Sequence, residues 1–303
     1  MKRIFRNLGI LVALIALVFL IYALTVNNKT VLSKDGVRIA YSVYGKGEPA
    51  LVFVHGWCGS RAVWYKQIPY FAKKYKVVAL DLAGHGVSGR QRKAYTQEAF
   101  GEDVAAVVNA LKADKVILIG HSMAGTVMLE ANRLLKGKVR GLVGVDTLEN
   151  FESVATPEEI RKYIDPMKKD FREGSGIFVR EMFTANADPQ LVKQVVANVS
   201  RADPAIAISA IDYYFNTPVI PLLAGVDVPL WCLNADLWPS FPEINSKYLK
   251  SYHLRVMPGL GHFLMVEAPD EFNSQLEDII IQINVILQTS IPENSHLNTS
   301  ARQ

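Results

Sequence analysis

Apolar residues follow three patterns along this chain, and each pattern predicts a different element. Residues 50–54, 77–80, 116–119, 139–145, 229–233 and 254–257 form short, largely apolar runs closed by Gly, His, Asp, Asn or Pro. Such runs mark strands buried on both faces of a parallel sheet. Residues 37–44 alternate and end at Gly45-Lys46-Gly47, a strand closed by a turn. Between the runs, residues 61–74, 97–111, 124–135, 240–249 and 270–287 carry apolar positions at helical spacing. Strands alternating with helices predict an α/β fold with a mostly parallel, doubly wound sheet.

The alternation breaks between residues 147 and 226. This stretch has no strand pattern, repeated Asp-Pro breakers, and helical candidates at 157–172, 177–184, 189–199 and 204–215. It reads as a helical insertion, flanked by core segments at 29–146 and 227–288. The tail, 289–303, is polar and reads as disordered.

The third pattern is an unbroken apolar run over residues 8–26, preceded by Lys2, Arg3 and Arg6. A membrane-spanning helix needs about 20 such residues. A cleavable signal has a shorter core, about 7–15, and a small-x-small site that Ala23-Leu24-Thr25 imitates poorly. Residues 1–28 therefore read as a signal-anchor transmembrane helix. The basic cluster would stay cytoplasmic and the rest of the chain extracytoplasmic. Export after cleavage is the alternative.

Composition narrows the partners. A net charge of +4, with no basic stripe interleaved with aromatics, argues against nucleic acid. The two cysteines, Cys58 and Cys232, lie in or beside buried strands and read as small apolar residues. Neither belongs to a metal-ligand spacing, and no metal or cofactor is expected.

The chemistry centres on Gly120-His121-Ser122-Met123-Ala124-Gly125, at the corner between a buried strand and a helix. A sharp strand-to-helix turn lifts a serine hydroxyl clear of the sheet. It also aims a helix N-terminus at the place where negative charge develops. Asp236 and His262 likewise fall just past the ends of buried strands, the edge where parallel sheets build sites. A serine hydroxyl needs a base to take its proton, the role open to His262. A carboxylate, Asp236, would fix that imidazole's tautomer. Asp146 also ends a strand and is the rival acid.

These segments resemble the α/β-hydrolase superfamily, whose nucleophile motif is Gly-x-Ser-x-Gly and whose triad runs in the order Ser, Asp, His. Ala124 stands where the second Gly usually lies. The resemblance spans residues 37–287, thins over 147–226, and implies that this insertion is a cap. It also implies an oxyanion hole from the backbone N–H groups of Trp57, in His55-Gly56-Trp57, and of Met123. His85 lies in a segment similar to the family's Asp-x-x-Gly-His-Gly-x-Ser and reads as a loop holder. His121 is expected to point away from the nucleophile, and Trp238 is a candidate wall of the substrate pocket.

The implied activity is cofactor-free hydrolysis of a small-molecule carboxylic ester through an acyl-enzyme. Thioester cleavage, acyl transfer, haloperoxidase and C–C hydrolase chemistry remain same-site alternatives. A non-catalytic binding module is the alternative of another class. Serine at 122 argues against the epoxide hydrolases and haloalkane dehalogenases of the superfamily, which use aspartate there.

Overall fold

The computed structural model describes residues 27–111 and 113–289. Eight strands form one sheet: β1 (Asn27–Leu32), β2 (Arg38–Tyr44), β3 (Ala50–Val54), β4 (Val77–Asp81), β5 (Val116–His121), β6 (Val139–Val145), β7 (Leu230–Ala235) and β8 (Tyr252–Met257). Their spatial order is β1-β2-β4-β3-β5-β6-β7-β8. The β1–β2 and β2–β4 pairs are antiparallel and all others parallel. The helices are α1 (Gln67–Phe71), α2 (Gln97–Ala110), α3 (Ala124–Leu134), α4 (Pro157–Lys169), α5 (Phe171–Arg180), α6 (Pro189–Val199), α7 (Pro204–Phe215), α8 (Pro242–Asn245), α9 (Leu264–Glu267) and α10 (Pro269–Thr289).

Alternation along the strands splits the core in two. Val52, Val54, Val78, Leu80 and Leu118 face α2 and α3, meeting Phe100, Val104, Val127 and Met128. Leu51, Phe53, Val77, Ile117 and Ile119 face the other way, onto Trp64, Phe71 and the α10 residues Phe272, Leu276, Ile279 and Ile283. Both faces are thus covered, which is why β3, β4 and β5 are buried end to end.

Between β6 and β7 the chain forms only helices, as its sequence predicts, but with shifted bounds. One helix was expected to run through residue 172. Asp170 instead adopts an extended conformation and accepts the Glu173 N–H, ending α4 and capping α5.

The N-terminal reading is corrected. Asn27 and Asn28, expected to close an anchor helix, open β1, which pairs with β2 from Asn27↔Val43 to Leu32↔Arg38. From residue 27 the chain is therefore committed to the sheet edge. Among the described residues no helix is long and apolar enough to cross a membrane. The apolar run at 8–26, on which the transmembrane and extracytoplasmic expectations rested, lies outside the described residues, as does the tail from 290.

Candidate active site

Ser122 follows β5 directly and holds a left-handed backbone, φ 56°. That conformation costs a side-chain-bearing residue free energy and marks a site held by its surroundings. Here the surroundings are the Ser122 N–H donating to Val145 O at 3.0 Å and the Gly125 N–H donating to Ser122 O at 2.8 Å. The small residue the turn needs is Gly125, where a Cβ would lie 2.4 Å from Thr147 Oγ1. Ala124 is accommodated and fully buried.

His262 follows β8 and is 5% exposed. Its Nδ1 donates to Asp146 Oδ2 at 2.6 Å, a charge-assisted distance. The Asp146 carboxylate is itself fixed, because Oδ1 accepts the Ala235 N–H at 2.7 Å. Asp146 also has a left-handed backbone, φ 47°, which turns its side chain back over the end of β6. Asp236, the acid expected from sequence, does not meet the imidazole. It is exposed, and its Oδ1 accepts the Gly259 N–H at 2.7 Å. The pairing is therefore corrected to Asp146. β6 neighbours β5, which carries Ser122 at its end, and Asp236 is taken up in shaping the turn that carries His262.

Ser122 and His262 line one cavity with His121, Gly56, Trp57, Val63, Val179, Met182, Val199 and Phe263. Its volume is about 40 Å³, and its lining is mainly apolar. Among the described residues no hydrogen bond joins the Ser122 hydroxyl to His262, and His262 Nε2 is unbonded. A larger recess of about 380 Å³, lined by Tyr65, Gln190, Gln194 and Glu267 among others, lies at the His262 turn but excludes Ser122.

No hydrogen bond from the Trp57 or Met123 backbone N–H occurs among the described residues, so both donors are open. The loop carrying Trp57 lies against Ser122: a Cβ on Gly56 would be 3.0 Å from Ser122 Cβ. His55 shapes this loop. Its Nε2 accepts the Leu82 N–H at 3.1 Å, so Nδ1 carries the proton donated to Gly56 O at 2.8 Å. The Trp57 indole donates to Ala207 O at 2.8 Å, tying the loop to α7.

His121 departs from expectation. Rather than pointing away, it lines the cavity, packs 4.6 Å from the His262 ring, and donates from Nε2 to His262 O at 2.9 Å. Burial, then the neighbouring His262, holds its pKa well below the ordinary histidine value, so it is a neutral brace. Its place beside Ser122 was the available signal. His85 donates from Nδ1 to Ala83 O, and burial pushes its pKa down to about 3. The Trp238 ring stands edge-on, 5.3 Å from His262, but does not line the cavity.

Two carboxyls that sequence reading passed over lie close by. Burial, then the Asp146 charge, raises the Glu149 pKa to about 7. Glu267 sits at the end of α9, beneath the His262 turn. Among the described residues no group of three or more His, Cys, Asp and Glu side chains is placed to hold a metal ion.

The sheet order and the residues at its C-terminal edge define a class, and comparison with known proteins agrees with it. Residues 49–215 match the family described as the alpha/beta hydrolase fold, more than half of the chain. The chain belongs to the α/β-hydrolase family. It is similar to a non-heme haloperoxidase of Rhodococcus erythropolis, 25% identical over 82% of this chain and 98% of that protein. It is also similar to the karrikin insensitive 2 receptor CA of Petunia hybrida, 24% identical over 75% of this chain and 90% of the receptor. A solved structure from Burkholderia cenocepacia, assigned as an aryl esterase, superposes with a TM-score of 0.72. It is 26% identical, over 86% of this chain and all of that one.

Proposed function

We propose that the protein is a serine hydrolase that cleaves carboxylic esters of small acyl groups through an acyl-enzyme. The observation that carries this reading is the 2.6 Å bond from His262 Nδ1 to Asp146, beside a left-handed Ser122 in the same cavity. In this mechanism substrate binding brings the Ser122 hydroxyl to His262 Nε2, a contact that often tightens only in the complex. Nε2 takes the proton as Oγ bonds to the ester carbonyl carbon. The resulting oxyanion is held by the Trp57 and Met123 N–H groups. Collapse breaks the ester C–O bond, and the alcohol leaves with the proton from Nε2. Water then repeats the sequence on the acyl-Ser122, releasing the acid.

The small apolar cavity supports the choice of acyl group. A volume of about 40 Å³ accommodates roughly three water-sized groups. A fluorophosphonate probe tests the nucleophile: wild type is labelled and Ser122→Ala is not. Absence of labelling in folded wild type would favour the binding module, the class to which the name of the Petunia relative belongs. A p-nitrophenyl ester panel tests the acyl group, with acetate and propionate turned over faster than octanoate.

The name of the Rhodococcus relative supports a second reading at the same site. There peroxide would replace water in the second half-reaction. Its test is peracid formation from acetate and hydrogen peroxide, lost in Ser122→Ala.

A further inference from the structure

The turn that carries His262 is gripped on both sides of that residue. Glu267 Oε2 accepts the Gly261 N–H at 3.1 Å and Oε1 accepts the Phe263 N–H at 3.2 Å. Between them the His262 N–H donates to Met182 O, just beyond α5, at 2.8 Å. One carboxylate thus spans the residue, and the helical layer holds its centre.

We infer that Glu267 is a positioning residue for His262, an inference that rests on the serine-hydrolase reading. The Phe263 bond fixes the peptide plane after His262, the Met182 bond the plane before it, and the Gly261 bond the plane one residue earlier, so the carboxylate and Met182 together set the direction of the His262 Cα–Cβ bond. The imidazole must reach Asp146 with one nitrogen and Ser122 with the other, so a small rotation of the backbone moves Nε2 off line. A displacement of about 1 Å at a reacting group can cost about 10²-fold in rate. The pKa of the Glu267 carboxyl is raised above the ordinary carboxylate value. Burial raises its pKa and the two N–H bonds lower it, while Asp146 raises it and His262 lowers it. A carboxylate that served only to cap the short helix α9 would have no effect on the rate of a folded enzyme.

The test measures kcat, KM and the rate constant of fluorophosphonate labelling on the full chain, each normalised to the titrated fraction of active sites. Glu267→Gln keeps one acceptor and turns an NH2 toward the other N–H. Its kcat and labelling rate are expected to fall about tenfold, with KM within twofold of wild type. Glu267→Ala, lacking both acceptors, falls further. Gly261→Ala keeps the carboxylate in the sequence but puts a methyl 2.7 Å from Met182 O and 2.9 Å from Glu267 Oε1. It therefore displaces the same turn and lowers the same two rates; unchanged rates per titrated site in folded Gly261→Ala would overturn the need for a fixed turn even should the Glu267 variants fail to fold. Its effect is non-additive with that of Glu267→Gln. Wild-type kcat and labelling rate per titrated site in Glu267→Gln, with only the melting temperature lowered, would overturn the positioning role alone. Failure of wild type to label overturns the hydrolase reading and this inference together.

Discussion

At the scale of single residues, the choice between two aspartates decides how the site works. Asp146 and Asp236 both follow buried strands, and side-chain chemistry does not separate them. Geometry does, since Asp146 offers one oxygen to Ala235 N–H and the other to His262, whereas Asp236 is bonded to Gly259 N–H. Asp146→Asn should therefore lower kcat by about 10⁴-fold, because the amide favours the wrong imidazole tautomer. Asp236→Asn keeps an acceptor for Gly259 and should retain most of the turnover. Steady-state kinetics on the two variants gives the contrast, and the reverse order would restore Asp236 as the acid. Ser122 and His262 could be marked as candidates from sequence because each falls just past a buried strand, close to a glycine (Gly120 and Gly261). The partner of His262 could not be, because Asp146 and Asp236 hold equivalent strand-end positions and only the fold brings Asp146 Oδ2 within 2.6 Å of the imidazole.

At the scale of elements, the strand–turn–helix around Ser122 explains the departure from the usual nucleophile motif. Ala124 fits, whereas a Cβ at Gly120 would meet Ala124 O at 2.5 Å and one at Gly125 would meet Thr147 Oγ1 at 2.4 Å. Gly125→Ala should cost stability and soluble yield, with the penalty of overpacking, about 1–3 kcal/mol. Ala124→Gly should leave turnover intact while costing up to about 1 kcal/mol in helix propensity. Urea unfolding of both variants checks the order. The parallel strands were readable because burial on two faces demands continuous apolar runs. β1 was not, because an edge strand needs no such run: Lys29 and Thr30 are exposed and Leu32 is 64% exposed. The helices between β6 and β7 were readable as helices. The break at Asp170 was hidden because a capping aspartate can equally sit within a polar helical face.

At the scale of the whole molecule, the helical layer and the sheet are joined where the chemistry sits, through Trp57 to α7 and through His262 to the end of α5. Global stability should report the ionisation of Glu149, a buried carboxyl near Asp146. The Glu149 carboxyl is raised by burial from 4.5 to about 7, so between those values the folded chain keeps a proton that the unfolded chain releases. Linkage then makes stability fall as pH rises through that window and level off above it. Glu149→Gln should gain on wild type from about pH 5 to pH 8 in urea unfolding, and a constant difference would remove Glu149 as the cause.

The bent corners at the sheet's edge have one more consequence. Cys58, Ser122, Asp146 and Leu148 all adopt a backbone shape that, isolated in water, they would abandon for an extended or right-handed one. A synthetic peptide copying any of these loops would lose the outline it has here. The smallest working unit is therefore the assembled sheet with both of its coats, and no excised loop can stand in for it.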